Sequence, residues 1–124
     1  MAKENILRTK GMNFAVRVVK LFKFLQEEKK EFVLSKQILR SGTSIGANIA
    51  ESENAISNKE FLAKVYIALK ECSETIYWLD LLYRTDYLDR NQYESMTNDC
   101  VELRKIMMAT TKTLTAKLKN KAEC

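Results

Sequence analysis

Few residues in this 124-residue sequence can do chemistry, and they are unevenly placed. There is no histidine, so the chain has no imidazole base, no Ser-His or Cys-His nucleophile, and no Glu-x-x-His ligands of the kind that di-metal helix bundles use. Cys72, Cys100 and Cys124 stand far apart with no C-x-x-C pair, which argues against zinc and against a disulfide framework. Cys72 and Cys100 read as small core hydrophobes and Cys124 as a tail thiol. For acid chemistry there remain Glu51, Glu71 and Glu74, which form a carboxylate pair or a divalent-cation site only if two helices bring them face to face. No phosphate-cradling Gly-rich loop accompanies them. The expectation is therefore no enzyme, no cofactor and no metal, with Glu51 paired to Arg40 or to a cation of another subunit.

Binding chemistry is better supplied. Lys and Arg number 21 against 16 Asp and Glu, a net charge of +5. Eight of the basic side chains and only three acidic ones fall in residues 1–30; residues 31–60 and 61–90 are each slightly acidic, and residues 91–124 are basic again. If the chain ends meet, Arg8, Lys10, Arg17 and Lys20 join Lys112, Lys117, Lys119 and Lys121 in one phosphate-binding surface, to which Lys3 would add. The same lysines also suit a plainer role, facing the negative end of a helix and keeping the chain soluble, and Glu51 and Glu53 partly cancel the field. A second line of cations and rings, Lys59, Tyr66, Lys70, Tyr77 and Arg84, would stack unpaired bases or pack against another subunit, with Asp80 interrupting it. Trp78 and Phe24 fall off the core stripe and read as contacts to a partner subunit.

The elements that must position these groups are helices. Zero prolines and three glycines leave too few turn residues for a sheet-rich fold. Apolar periodicity gives segments at roughly 13–29, 33–52, 57–85 and 89–119. The first takes Asn13 as its cap, just after Gly11, and carries Phe14, Val18, Leu21 and Leu25. The second carries Leu34, Ile38, Ile45 and Ile49, with Gly42 completing the four-residue steps, and the third Phe61 or Leu62, then Val65, Leu69, Cys72, Ile76, Leu79 and Tyr83. The last runs Tyr93, Met96, Cys100, Leu103, Met107, Thr110 and Leu114. Ser57 with Glu60, and Asp89 with Gln92, have capping-box spacing. Short connections force antiparallel neighbours, so residues 1–124 are expected to form a single all-α domain, an antiparallel up-down-up-down four-helix bundle. No apolar run is long enough for export or membrane insertion, which points to a cytoplasmic protein without a membrane partner.

The second segment is unusual. Gly42, Gly46 and Ala50 recur every four residues, although each helical glycine costs about 1 kcal/mol relative to alanine. Beside them runs a polar stripe of Gln37, Ser41, Ser44, Asn48 and Glu51. Small residues at this spacing let another backbone approach closely. That backbone belongs either to a tight intrachain crossing or to a subunit interface, and a ligand groove is the third reading.

The run Arg40-Ser41-x-x-Ser44-Ile45-x-Ala47-Asn48-Ile49-Ala50-Glu51, followed by Ser57-x-x-Glu60-Phe61-Leu62, Ala68 and Glu74, resembles the bacterial four helix bundle protein family. That family is also called the 23S rRNA intervening-sequence or S23-like proteins, and the resemblance spans essentially the whole chain. It implies a bundle assembled into a homopentameric ring. It also implies kinship with the accessory variability proteins of diversity-generating retroelements, which bind nucleic acid and a reverse transcriptase. Within it Arg40, Gly42, Ser44, Gly46, Asn48, Glu51 and Glu74 are motif residues, structural or at an interface. The chain departs from the pattern at Ser52-Glu53-Asn54-Ala55-Ile56, where relatives carry a Gly and an Arg, and at Glu71-Cys72-Ser73-Glu74, where they carry Gly-Ser. An acidic turn thus replaces a basic one and removes one phosphate contact. The functional expectation is a non-catalytic homo-oligomer that binds RNA or DNA phosphates. The alternative is a protein-interaction scaffold that does not bind nucleic acid.

Overall fold

Three of the four helices begin where the sequence supplies a cap. Ser57 Oγ accepts a hydrogen bond from the Glu60 backbone N–H at 3.1 Å, and the Glu60 carboxylate accepts from the Ile56 N–H at 3.3 Å. At the next start Asp89 Oδ1 accepts from the Gln92 N–H at 2.8 Å while Gln92 Oε1 accepts from the Asp89 N–H at 2.9 Å. Both capping boxes therefore form, each satisfying donors that a helix start leaves open. The second helix start has no such sequence signal: Glu31, the last residue of a charged run, is buried and accepts from the Ser35 N–H at 2.7 Å and the Val33 N–H at 3.3 Å. A carboxylate there also meets the positive end of the helix dipole.

The computed structural model describes residues 2–123, and the side chains of residues 6–121. The side chain of Lys3 and all of Cys124 lie outside the described residues. The helices are α1 (Ala2–Glu27), α2 (Leu34–Ser52), α3 (Asn58–Arg84) and α4 (Arg90–Glu123), with no strand among the described residues. Lys30 and Asp86, with φ of 54° and 69°, turn the chain after α1 and α3. Backbone N–H groups beyond each turn then reach back to Leu25 and Leu82 carbonyls, closing the helix ends.

Two boundaries differ from expectation. α1 starts at least as early as Ala2 and not at Asn13, because Gly11 is a helical residue and not a break. α4 runs on to Glu123, past the expected end at 119.

Each helix packs on its two neighbours, α1 on α2, α2 on α3, α3 on α4 and α4 back on α1, while the backbones of the diagonal pairs stay apart across the shared core. Short turns and this closed order make a four-helix bundle with antiparallel neighbours. The core takes Phe14, Val18, Leu21 and Leu25 from α1 and Ile38, Ile45 and Ile49 from α2, as their spacing predicts. On α3 the buried face is rotated: Ala68, Thr75 and Leu82 are fully buried, and Leu69 and Ile76 only partly. Thr75 lies on the same buried face as Leu79 and Leu82, and its hydroxyl is satisfied there by the Glu71 carbonyl at 2.7 Å and by Ser41 Oγ of α2 at 2.9 Å. Cys72 and Cys100 are buried face to face, each thiol directed at the other's backbone carbonyl, at 4.0 and 3.6 Å.

Candidate nucleic-acid interface

The antiparallel order places the start of α1, the end of α2, the start of α3 and the end of α4 at one pole. Arg8 and the α4 lysines from Lys112 onward stand toward that pole, but Arg17 lies level with Ser95 and Asp99 near the other end of α4 and Lys20 about one turn beyond it. The expected single surface therefore does not form, and the cations also divide into two kinds by their partners. Arg8 is tied to Glu53 at 2.7 Å, Lys10 to Glu102 at 2.6 Å, and Arg17 to Asp99 at 2.5 Å, with further bonds to Ser95. These three were expected to approach the lysines of α4 as a shared phosphate site. They face carboxylates of the α2–α3 turn and of α4, and so their charge is locally cancelled. Lys20, Lys112, Lys117, Lys119 and Lys121 are exposed and have no carboxylate partner among the described residues.

The last helix carries the unbalanced charge. Between Glu102 and Glu123 it holds Arg104, Lys105, Lys112, Lys117, Lys119 and Lys121 and no acidic residue. Its buried seam is Met96, Cys100, Leu103, Met107 and Thr111. Lys105, Lys112 and Lys119, seven residues apart, therefore share the opposite, solvent-facing side at intervals of about 10 Å. Lys105 does not stand out in the sequence because it sits in a locally apolar stretch. Its spacing to Lys112 and Lys119 was the available signal.

The motif residues of α2 do structural work within the chain. Gly46 lies against Gly11 of α1: a Cβ on Gly46 would stand 3.1 Å from the Gly11 carbonyl oxygen, and one on Gly11 would stand 3.3 Å from Gly46 Cα. Gly42 faces the buried Val18, whose methyls would lie 2.7 and 2.8 Å from an added Cβ. The small-residue stripe is thus an intrachain crossing of α1 on α2. Gly11 is its third glycine, which explains why α1 tolerates a glycine in mid-helix.

The polar stripe resolves similarly. Arg40 binds Glu71 and Glu74 of α3, and Glu74 also accepts from Trp78 Nε1 at 2.9 Å. Glu51 pairs with Lys64 at 3.2 Å, not with Arg40, and is far from Glu71 and Glu74 along the helices. Glu71 and Glu74 therefore converge on the Arg40 guanidinium while Glu51 stands apart, and no cluster of three or more potential metal ligands occurs among the described residues. Asn48 donates to the Ser44 carbonyl at 2.9 Å. Trp78 and Phe24, expected to reach outward, pack in part against the chain's own core. Tyr66 and Tyr77 do face solvent beside Lys59 and Lys70, and Arg84 is held by Asp80 at 3.1 Å.

No helix is long and apolar enough to cross a membrane among the described residues. No curated protein matches the sequence. A solved structure does, that of a protein with unknown function from the S23 ribosomal protein family of Bacteroides thetaiotaomicron VPI-5482. It is 57% identical, with a TM-score of 0.88, over 89% of this chain and 98% of that one. The model of the family described as 23S rRNA-intervening sequence protein matches residues 3–109, which include the glycine crossing and the Arg40 network but end before Lys112. By that match the chain belongs to the 23S rRNA-intervening sequence protein family.

Proposed function

We propose that this chain is a non-catalytic, homo-oligomeric protein that binds the phosphate backbone of RNA or DNA through the C-terminal half of α4. The observation that carries the reading is the run from Arg104 to Lys121, six cations without one carboxylate, with Lys105, Lys112 and Lys119 on its outer side. Cations spaced along one side of a helix displace condensed counterions from a nucleic-acid backbone, which makes affinity fall steeply with salt. Lys117 and Lys121 extend the surface, while Lys20, about one turn beyond Arg17 toward the other pole, is not part of it. Arg8, Lys10 and Arg17 contribute little, because their carboxylate partners would have to be displaced first. The family match stops short of the four terminal lysines, so this reading rests on the chain's own charge pattern.

Assembly is supported by unpartnered apolar side chains at opposite corners of the bundle. Met12, Val16 and Val19 lie on the outward side of α1, and Tyr66, Ile67 and Tyr77 on that of α3. Two different patches on opposite sides suit a head-to-tail ring, and a count of five subunits follows from the family resemblance. Repetition around a ring would multiply the lysine surface. A protein-interaction scaffold without nucleic-acid binding is the second reading, favoured by the same exposed rings.

Fluorescence anisotropy of a structured RNA and a duplex DNA at low and physiological salt, with light scattering on the same samples, tests the proposal. Salt-steep binding by a species of roughly 72 kDa, five chains, is the expected result. A protein that ignores both nucleic acids at low salt would leave the scaffold reading.

A further inference from the structure

The last helix outruns the rest of the bundle. Cys72 and Cys100 stand opposite each other, and α3 begins at Asn58, so antiparallel counting puts the start of α3 level with about residue 114 of α4. The Lys10–Glu102 pair likewise puts Ala2 of α1 level with about residue 110. Residues 115–123 therefore project beyond the starts of both neighbouring helices, by about 14 Å. Within 115–121 only Leu118 is partly covered, and every other residue is exposed.

Around this projecting helix the cations stand on opposite sides. At about 100° per residue, Lys112 and Lys119 lie within about 20° of each other, and Lys117 and Lys121 within about 40°. The two pairs are about 140–180° apart around the axis. Between them, on the side away from Leu114 and Leu118, are Ala116 and Asn120, both exposed and both short. No acidic residue interrupts the chain from Glu102 to Glu123, and Glu53 of the α2–α3 turn, which lines the same cleft as Lys117, is held by Arg8 at 2.7 Å.

One cationic side is enough to lie along a single phosphate strand. Two cationic sides with short side chains between them fit a channel that is anionic on both walls. The major groove of B-form DNA is such a channel: it is about 12 Å wide, takes a helix about 10–12 Å across, and has a phosphate strand on each edge with base edges on its floor. The corresponding groove of an A-form RNA duplex is too deep and narrow for side chains to read, and a single strand offers only one wall.

We infer that the projecting end of α4 enters the major groove of duplex DNA. Lys112 and Lys119 face one strand, Lys117 and Lys121 the other, and Ala116 and Asn120 the base edges. The inference rests on the phosphate-binding reading of α4 given above and narrows its ligand to B-form DNA.

The test is fluorescence anisotropy of the full chain with a DNA duplex of about 16 base pairs, the RNA duplex of the same sequence and the single DNA strand. At physiological salt the DNA duplex is expected to bind at least about tenfold tighter than the RNA duplex. Lys112→Gln/Lys119→Gln and Lys117→Gln/Lys121→Gln, all at exposed positions, should each weaken DNA binding and make the slope of log affinity on log salt shallower by about 2, the share of two phosphate contacts. A duplex whose cytosines carry glucosylated 5-hydroxymethyl groups keeps its phosphates but has its major groove filled, and it should bind at least about tenfold more weakly. Equal affinity for the DNA and RNA duplexes, full affinity for the glucosylated duplex, or parental affinity and slope in Lys117→Gln/Lys121→Gln overturns the inference. If salt-steep binding persists in any of those cases, the phosphate surface on α4 stands without the groove. Absence of binding to all three nucleic acids at low salt overturns both.

Discussion

Gly42→Ala is the sharpest probe of the α1–α2 crossing, because two opposing effects of known size meet at one atom. Replacing a helical glycine by alanine ordinarily stabilises a helix by about 1 kcal/mol. Here the new Cβ would stand 2.7, 2.8 and 3.2 Å from three carbons of Val18, which is fully buried and β-branched, so it has no free rotamer to retreat into. Overpacking of this sort costs about 1–3 kcal/mol, and contact with three stiff atoms puts it toward the upper end. The expected net loss is about 1–2 kcal/mol, or a fall in Tm of roughly 4–8 °C for a chain of this length. Val18→Ala alone should cost about 2 kcal/mol through lost burial and a small cavity. In the double variant the alanine methyl occupies the space vacated by valine, so the two costs should fall short of their sum by about 1.5 kcal/mol or more. Urea unfolding followed by circular dichroism at one fixed protein concentration measures all four corners of the cycle. A Gly42→Ala protein as stable as the parent, or additive costs in the double variant, would refute the tight-crossing reasoning.

At Gly46 the neighbour is backbone, so relief by a second substitution is not available. Gly46→Leu should separate α1 from α2 and lower Tm, and an unchanged melting curve would show the crossing to be loose. A pH effect follows from the buried thiols. The Cys72 thiol is pushed well above the ordinary thiol range, first by its hydrogen bond with Cys100, then by burial and the neighbouring Cys100 charge. The unfolded thiol ionises near pH 8.5, so stability from the protonated thiol is fully present below that pH and is lost as pH rises above it, by about 1.4 kcal/mol per unit. Urea midpoints at pH 7.5 and 9.5 should therefore fall further in the parent than in Cys72→Ala, and equal shifts would contradict the assignment.

The parts legible in the sequence were local ones. Capping boxes at Ser57 and Asp89 and apolar stripes on α1 and α2 depend on residues three or four apart, and these were read correctly. What could not be read depends on partners distant in the chain. Gly11 looks like a helix break until Gly46 is seen against it. Arg8, Lys10 and Arg17 look like free cations until the fold brings Glu53, Glu102 and Asp99 to them. The inner face of α3 takes in Thr75, whose hydroxyl finds a buried partner in Ser41 of α2, 34 residues away in the chain. The lysines of α4 survived as a candidate surface for the opposite reason: their lack of carboxylate neighbours is written in the local sequence.

The decisive measurement is the dependence of log affinity for a single-stranded RNA on log salt, compared between the parent and Lys105→Gln/Lys112→Gln/Lys119→Gln. Backbone binding along the outer side of α4 requires the triple variant to bind more weakly and its slope to be shallower by about 2, the share of three phosphate contacts to a single strand. A parent that binds without a salt slope, or a triple variant with the parent's slope and affinity, would contradict it.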